Sequence, residues 1–239
     1  MNCNTEYHEK HAKYHGIIEK IYARNYNKTQ RRWKCMLRLD IQQFSSDNKS
    51  LSAIKMDINN GSYIGITGKK YNQLMYALIG KEDFVGDVAL DEYSIKKNYD
   101  EYMEQVAYIS SVTRKRLNGQ KLTIDEFLDL SVMMRMEKID IIQYENKKNK
   151  YLQFFGINSN RRLCELEESE LLLIEFITLF LKSPRLILID DFLSLLSENQ
   201  VNKMMDFLKK YLHPNNISVI ASKYEDFLIK FTDQIYVLE

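Results

Sequence analysis

The chain has 239 residues and a mass of 28.4 kDa, with 45% hydrophobic residues, 28% charged residues and a formal net charge of +1. That excludes a disordered chain and gives no global pull toward nucleic acid or an anionic bilayer; one domain, or one with a sizeable insertion, suits the length. Cys3, Cys35 and Cys164 are odd in number and far apart, as free thiols in a reducing compartment would be, and neither a secretory signal nor an apolar run of the ~18–20 residues that cross a bilayer is present.

Residues 1–34 read as an N-terminal basic and aromatic extension and residues 35–239 as the folded domain. Within the extension Lys20, Arg24, Lys28, Arg31, Arg32 and Lys34 interleave with Tyr22, Tyr26 and Trp33. Such a stretch suits either a solvated helix docked by its aromatics or a grip on nucleic acid or a membrane surface. His8, His11 and His15 would share one helix face, but a metal site needs a fixed scaffold that a tail does not supply. Strands follow: Met36–Phe44 and Ile54–Ile58 alternate, Asn59-Asn60-Gly61 makes a turn, and Ser62–Thr67 is a short apolar strand. Tyr71–Ile79 has helical spacing, and residues 84–94 and 106–110 return to strand patterns. Residues 122–155 are helical and methionine-rich (Met133, Met134, Met136), a pattern of core filling.

The last third has the clearest pattern. Glu170–Leu181 is a buried helix closed by Pro184, and Leu186–Ile189 is an apolar strand ending in Asp190-Asp191. Ser197–Leu212 is an amphipathic helix with a Ser197/Gln200 capping box. Ile217–Ala221 is a buried strand, followed by a helix and an edge-like strand, Gln234–Leu238. Short apolar strands alternating with helices mean a parallel α/β sheet, whose ligands sit beyond the carboxyl ends of the strands, where Asp190 and Asp191 fall.

Over residues 36–239 this order resembles the nucleotide-binding domain of ABC transporters. Leu186 to Phe192 resembles the Walker B strand, Leu166-Glu167-Glu168-Ser169-Glu170 lies on the signature motif, Leu122–Glu126 is similar to the start of the helical subdomain, and Val85–Asp91 to the hairpin after the first helix. The resemblance implies an α/β, P-loop NTPase-like ABC ATPase fold. Its parts would be a mixed sheet core, an antiparallel β subdomain and a helical subdomain at about residues 112–170. Asp190 would be the magnesium-side carboxylate, Asp191 would stand at the catalytic glutamate, Lys223 at the switch histidine, Ser111 at the Q-loop glutamine and Ser197 at the D-loop aspartate. Phe44 lies where the family places an adenine-stacking aromatic; a core role is its commoner use.

The family's phosphate chemistry is not spelled out in this chain. Eight glycines in 239 residues is under half the usual ~7%, and they form neither GxxxxGK[ST] nor GxGxxG. Only five residues, Lys69 to Gln73, separate Gly68 from Leu74, too few for a loop whose N–H groups wrap a phosphate. The expectation is that the chain folds straight into the helix, and that Glu167, Glu168 and Glu170 repel a triphosphate. Asp190, Asp191 and Lys223 are then vestigial, with no catalytic residue, metal or cofactor expected.

The function that follows is a non-catalytic, pseudo-ATPase subunit, scaffold or regulator of a bacterial membrane ABC transporter complex. Its partners would be transmembrane subunits, with another ABC-type subunit as a further candidate. It would sit in the cytoplasm at the inner face of the membrane, without inserting and without binding nucleic acid. One alternative is an atypical but active ABC ATPase energising export, holding ATP and magnesium through Phe44, Gly68, Lys69, Lys70, Ser111, Asp190 and Asp191. Another is a soluble regulator that binds nucleic acid through residues 20–34.

Overall fold

A computed structural model of the chain describes residues 36–45, 53–110, 121–133, 140–191, 196–211 and 216–238. The extension to residue 34, Cys3, Cys35, Ser111, Met134 and Met136 lie outside them, as does the side chain of Met133. The elements in chain order are β1 (Met36–Phe44), β2 (Ile54–Asn59), β3 (Tyr63–Gly68), α1 (Tyr71–Ala77), β4 (Phe84–Leu90), β5 (Tyr93–Ser94), α2 (Tyr99–Glu104) and β6 (Val106–Ser110). Then follow α3 (Ile124–Met133), α4 (Ile141–Phe155), a 3-10 turn (Leu163–Glu165), α5 (Glu168–Leu181), β7 (Leu186–Asp190), α6 (Glu198–Tyr211), β8 (Ile217–Ala221), α7 (Glu225–Phe231) and β9 (Gln234–Leu238).

Two sheets result. The first is antiparallel in the order β2-β1-β4-β5. Along β1 the alternating Leu37, Leu39 and Ile41 are buried, and continued alternation would bury Gln43 next. A register shift between Ile41 and Gln43 buries Phe44 instead, as an extra residue in one strand of a pair turns the next side chain over. Gly86 stands opposite Ile41 with φ +113, and a Cβ there would meet the Asp40 carbonyl at 1.9 Å, so only glycine passes the bulge.

The second sheet is parallel in the order β6-β7-β8-β3-β9. β7 and β8 are buried along their whole length, which is why both read as continuous apolar runs. Their side chains divide by parity. Ile187, Ile189 and Ile220 face the helical layer, whereas Leu186, Leu188, Ile217 and Val219 join the core formed with the antiparallel sheet and α1.

Two local features organise the helical layer. Phe207 of α6 is fully buried, with the rings of Tyr151, Phe154, Phe155, Phe176, Phe180 and Tyr211 centred 4.7–5.8 Å away. Lys148 of α4, 2% exposed, bridges to α3: its amine lies 2.9 Å from Asp125, 2.7 Å from Asp129 and 3.0 Å from Glu145. Burial alone would depress this lysine, but three carboxylates outweigh it and hold the amine protonated well above the ordinary lysine value. Helix starts follow capping chemistry. Thr123 and Glu126 exchange side-chain-to-backbone bonds ahead of α3, Asp140 accepts from the Gln143 N–H, and Ser197 and Gln200 form the expected box.

Candidate functional site

β7 delivers Asp190 to the carboxyl end of the parallel sheet, in register with Ser110 of β6 and Ala221 of β8. Asp190 is only 7% exposed. Its Oδ2 accepts a 2.7 Å hydrogen bond from the Tyr108 hydroxyl, which comes from the neighbouring strand two residues before Ser110. Burial raises the Asp190 carboxyl above the usual carboxylate range; the Tyr108 bond offsets part of that rise, and the charge of Asp191 adds to it.

Asp191 ends the strand in the left-handed region, φ +39, with its N–H donating to the Ala221 carbonyl at 3.0 Å. Tyr71, the first residue of α1, lies close enough to feel the charge of both carboxylates. Both phenols are held neutral: Tyr71 and Tyr108 are pushed up first by burial and then by the neighbouring carboxylates.

β3 lies beside β8 and leads into α1 through Lys69 and Lys70 alone. The chain therefore enters the helix directly, as the short spacing implies. Lys70 is the N-cap and makes no side-chain cap bond. Gly68 has φ +104, and a Cβ on it would meet the Leu238 carbonyl at 2.1 Å, so β9 closes against the end of β3. Lys69 is exposed. Lys223 is also exposed, its amine 5.2 Å from the centre of the Tyr224 ring. Phe44 is 1% exposed, within the core and in register with Phe84. Of the residues singled out from the sequence, the structure thus gathers Asp190, Asp191 and the β3–α1 junction.

Tyr108, which donates to Asp190, carries no functional signal in the sequence. A tyrosine two positions before the strand end is the one hint for Tyr108, since i and i+2 share a face.

The acidic loop before α5 has a different use from repulsion alone. Glu167 is the N-cap and forms a reciprocal capping box with Glu170, whose carboxylate accepts the Glu167 N–H at 2.9 Å. Arg161 binds both Glu170 oxygens and the Glu165 carbonyl. The Arg161 hydrogen bonds hold the Glu170 carboxyl below its ordinary value near 4.5, so its contribution to stability is present above that value and is lost as pH falls through the lowered one. Glu170→Gln is accordingly expected to be less stable than wild type at neutral pH, with the gap closing in acid. Urea titrations at pH 7 and pH 3 check this; an equal gap at both refutes the assignment.

Among solved structures the chain is similar to an ATP-binding subunit of an ABC transporter, at TM-score 0.72 and 15% identity over 86% of each chain. It is similar to CbiO1 from Clostridium perfringens, described as part of the ABC transporter complex CbiONQ, at TM-score 0.71 and 15% identity over 86% of this chain and 85% of that one. A putative ABC transporter ATP-binding protein from Pyrococcus furiosus gives 0.65 and 14%, over 85% and 97%. No protein-family model and no curated protein matches the chain. The identity is low, and what these structures share with the chain is the fold: an antiparallel sheet, a parallel sheet and helices arranged as in ABC ATP-binding subunits.

Proposed function

We propose that the chain is a non-hydrolysing ABC-type nucleotide-binding-domain subunit, acting as scaffold or regulator of a membrane ABC transporter complex. The observation that carries this reading is the two-residue connection between β3 and α1. A magnesium–nucleotide group does not fit the residues at this junction. A phosphate cradle needs several consecutive N–H groups turned inward by a long glycine-rich loop, and a hydroxyl to reach the cation. Here Tyr71, Asn72 and Gln73 open the helix, and the approach over Gly68 is filled by the Leu238 carbonyl. Asp190 already accepts the Tyr108 hydroxyl. Among the described residues no group of three or more histidine, cysteine or acidic side chains is arranged to hold a metal ion.

The partners in this reading are transmembrane transporter subunits at the cytoplasmic face of the membrane, with a second ABC-type subunit as a further candidate. Among the described residues no helix is long and apolar enough to cross a bilayer.

Thermal unfolding with and without millimolar Mg-ATP tests the reading. A ligand at a hundred times its Kd adds about 2.7 kcal/mol, or roughly 5–10 °C for a chain of this size. The expected shift is none. A shift of several degrees would sink the proposal and favour an atypical active ATPase.

A further inference from the structure

We propose that the seam between α4 and α6 is a docking surface for an anionic phospholipid leaflet, which its lysines hold by charge without any side chain entering the bilayer.

The chain as a whole carries a formal charge of +1, so a cationic area has to come from segregation. The C-terminal halves of two helices supply it. Residues 146–155 of α4 hold three lysines and no carboxylate; residues 203–211 of α6 hold three lysines and Asp206. Lys148 is turned inward onto its own three carboxylates, which leaves Lys147, Lys150, Lys203, Lys209 and Lys210.

Packing brings charges from both helices to one place. Phe154 and Tyr211 meet edge to face across the seam, their centres 5.5 Å apart. The Lys150 amine comes from α4 to 4.6 Å from the centre of the Tyr211 ring. The Lys210 amine comes from α6 to 5.3 Å from the same ring and 5.6 Å from that of Phe154. Lys203 crosses in the same direction and donates to the Phe155 carbonyl at 3.2 Å. Two ammonium groups drawn to one ring repel each other, and among the described residues neither is paired with a carboxylate. Compensation of the helix dipole accounts for Lys209 and Lys210, in the last turn of α6. It does not account for Lys147 and Lys150, since α4 has no basic residue in its last turn.

The chemistry favours a lipid headgroup layer over a nucleic acid. Tyr211 and Phe154 pack inward on Phe207 and carry ammonium groups outside, so they offer no platform for a stacked base. Every cation is a lysine, a point charge without the planar fork that grips a phosphate or a base edge with two bonds. A fluid leaflet, whose anionic headgroups move to wherever the charges stand, asks for nothing more. None of the large exposed apolar side chains lies in these two segments, so the contact is electrostatic and shallow.

The inference rests on the membrane placement in the non-hydrolysing reading, yet the two fail separately: stabilisation by Mg-ATP sinks that reading, and lipid binding by the chain alone decides this one. The experiment is co-sedimentation of the full chain with phosphatidylcholine vesicles and with vesicles containing about a third phosphatidylglycerol, at low and high salt. Wild type is expected to bind the anionic vesicles, to leave them at high salt and to ignore the neutral ones. The Lys150→Gln, Lys209→Gln, Lys210→Gln variant changes three exposed side chains and should bind roughly a hundredfold more weakly, about fivefold per lysine. The same three positions changed to arginine should keep the binding. Residues 1–34 are untouched in both, so their basic side chains cannot produce the difference. Should the triple glutamine variant melt below the assay temperature, Lys150→Gln with Lys209→Gln carries the same comparison, with a loss of roughly 25-fold. Equal binding of wild type to the two kinds of vesicle, or equal binding of wild type and the glutamine variants, overturns the proposal. So does tighter binding of wild type to a short DNA duplex than to the anionic vesicles at the same salt, which would make the seam a nucleic-acid surface.

Discussion

Lys148→Met is expected to lower the free energy of unfolding by about 1–3 kcal/mol, between the ranges for an exposed and a buried ion pair, because the amine is 2% exposed while its three carboxylates are 30–45% exposed. The cost is not the lost attraction alone. Asp125, Asp129 and Glu145 all converge on one amine that is 2% exposed, and without it three negative charges face one another across the α3–α4 contact. Tyr144, whose hydroxyl donates to Asp129 at 2.7 Å, is too weak a donor to balance them. Urea denaturation at pH 7 checks this: the midpoint should fall while the slope stays the same. Adding Asp129→Asn and Glu145→Gln to Lys148→Met should recover a large part of the loss. A loss under about 1 kcal/mol, typical of an exposed pair, would show that the cluster is solvated.

Phe207→Ala is expected to cost about 3–5 kcal/mol, the usual range for a fully buried phenylalanine. Six aromatic rings surround this side chain, on α4, α5 and α6. Rings packed edge-to-face or tilted against their neighbours collapse poorly into a void, so the cavity contribution should be near its full size. Phe207→Leu keeps most of the volume and should lose much less. Thermal melts of both variants provide the test, with a drop of roughly 10 °C for alanine; equal drops for alanine and leucine would mean that the ring geometry, not the cavity, sets the cost.

The strands were the most legible part of the fold. Met36–Phe44, Val106–Ser110, Ile217–Ala221 and Gln234–Leu238 occupy the residues that their alternation or apolar runs indicate. Helix α2 is absent from that reading because Tyr99–Glu104 buries a single side chain, Tyr102, and one contact makes no period. The bulge in β1 is invisible for a related reason: alternation assigns Gln43 inward, and only the pairing with Gly86 overrides it.

At the site, the sequence located Asp190, Asp191 and the short junction, because these follow from one strand and one count of residues. It did not locate their partners. Tyr108 and Asp190 are 82 residues apart and meet only through the β6–β7 register. Arg161 is similar: its pairing with Glu170 depends on the chain reversing at the 3-10 turn between them, so an acidic loop that looks purely repulsive in sequence is half-paired in the fold. Lys148 was hidden by its type, since a lysine among polar neighbours reads as solvated, and only the convergence of α3 on α4 buries it.

The position of β3 has a consequence for how the chain is made. Its two neighbours in the sheet are β8 and β9, which begin about 150 residues or more further along. A ribosome adding roughly 5–20 residues per second leaves Tyr63–Gly68 without a pairing partner for many seconds after it emerges. Meanwhile β6 and β7 can zip together, and the antiparallel sheet can close from contacts much nearer in sequence. The place beside β8 is therefore filled late, by a strand that was synthesised early and whose Ile64 and Ile66 must be kept from other edges in the interval, and β9 then closes over its free side.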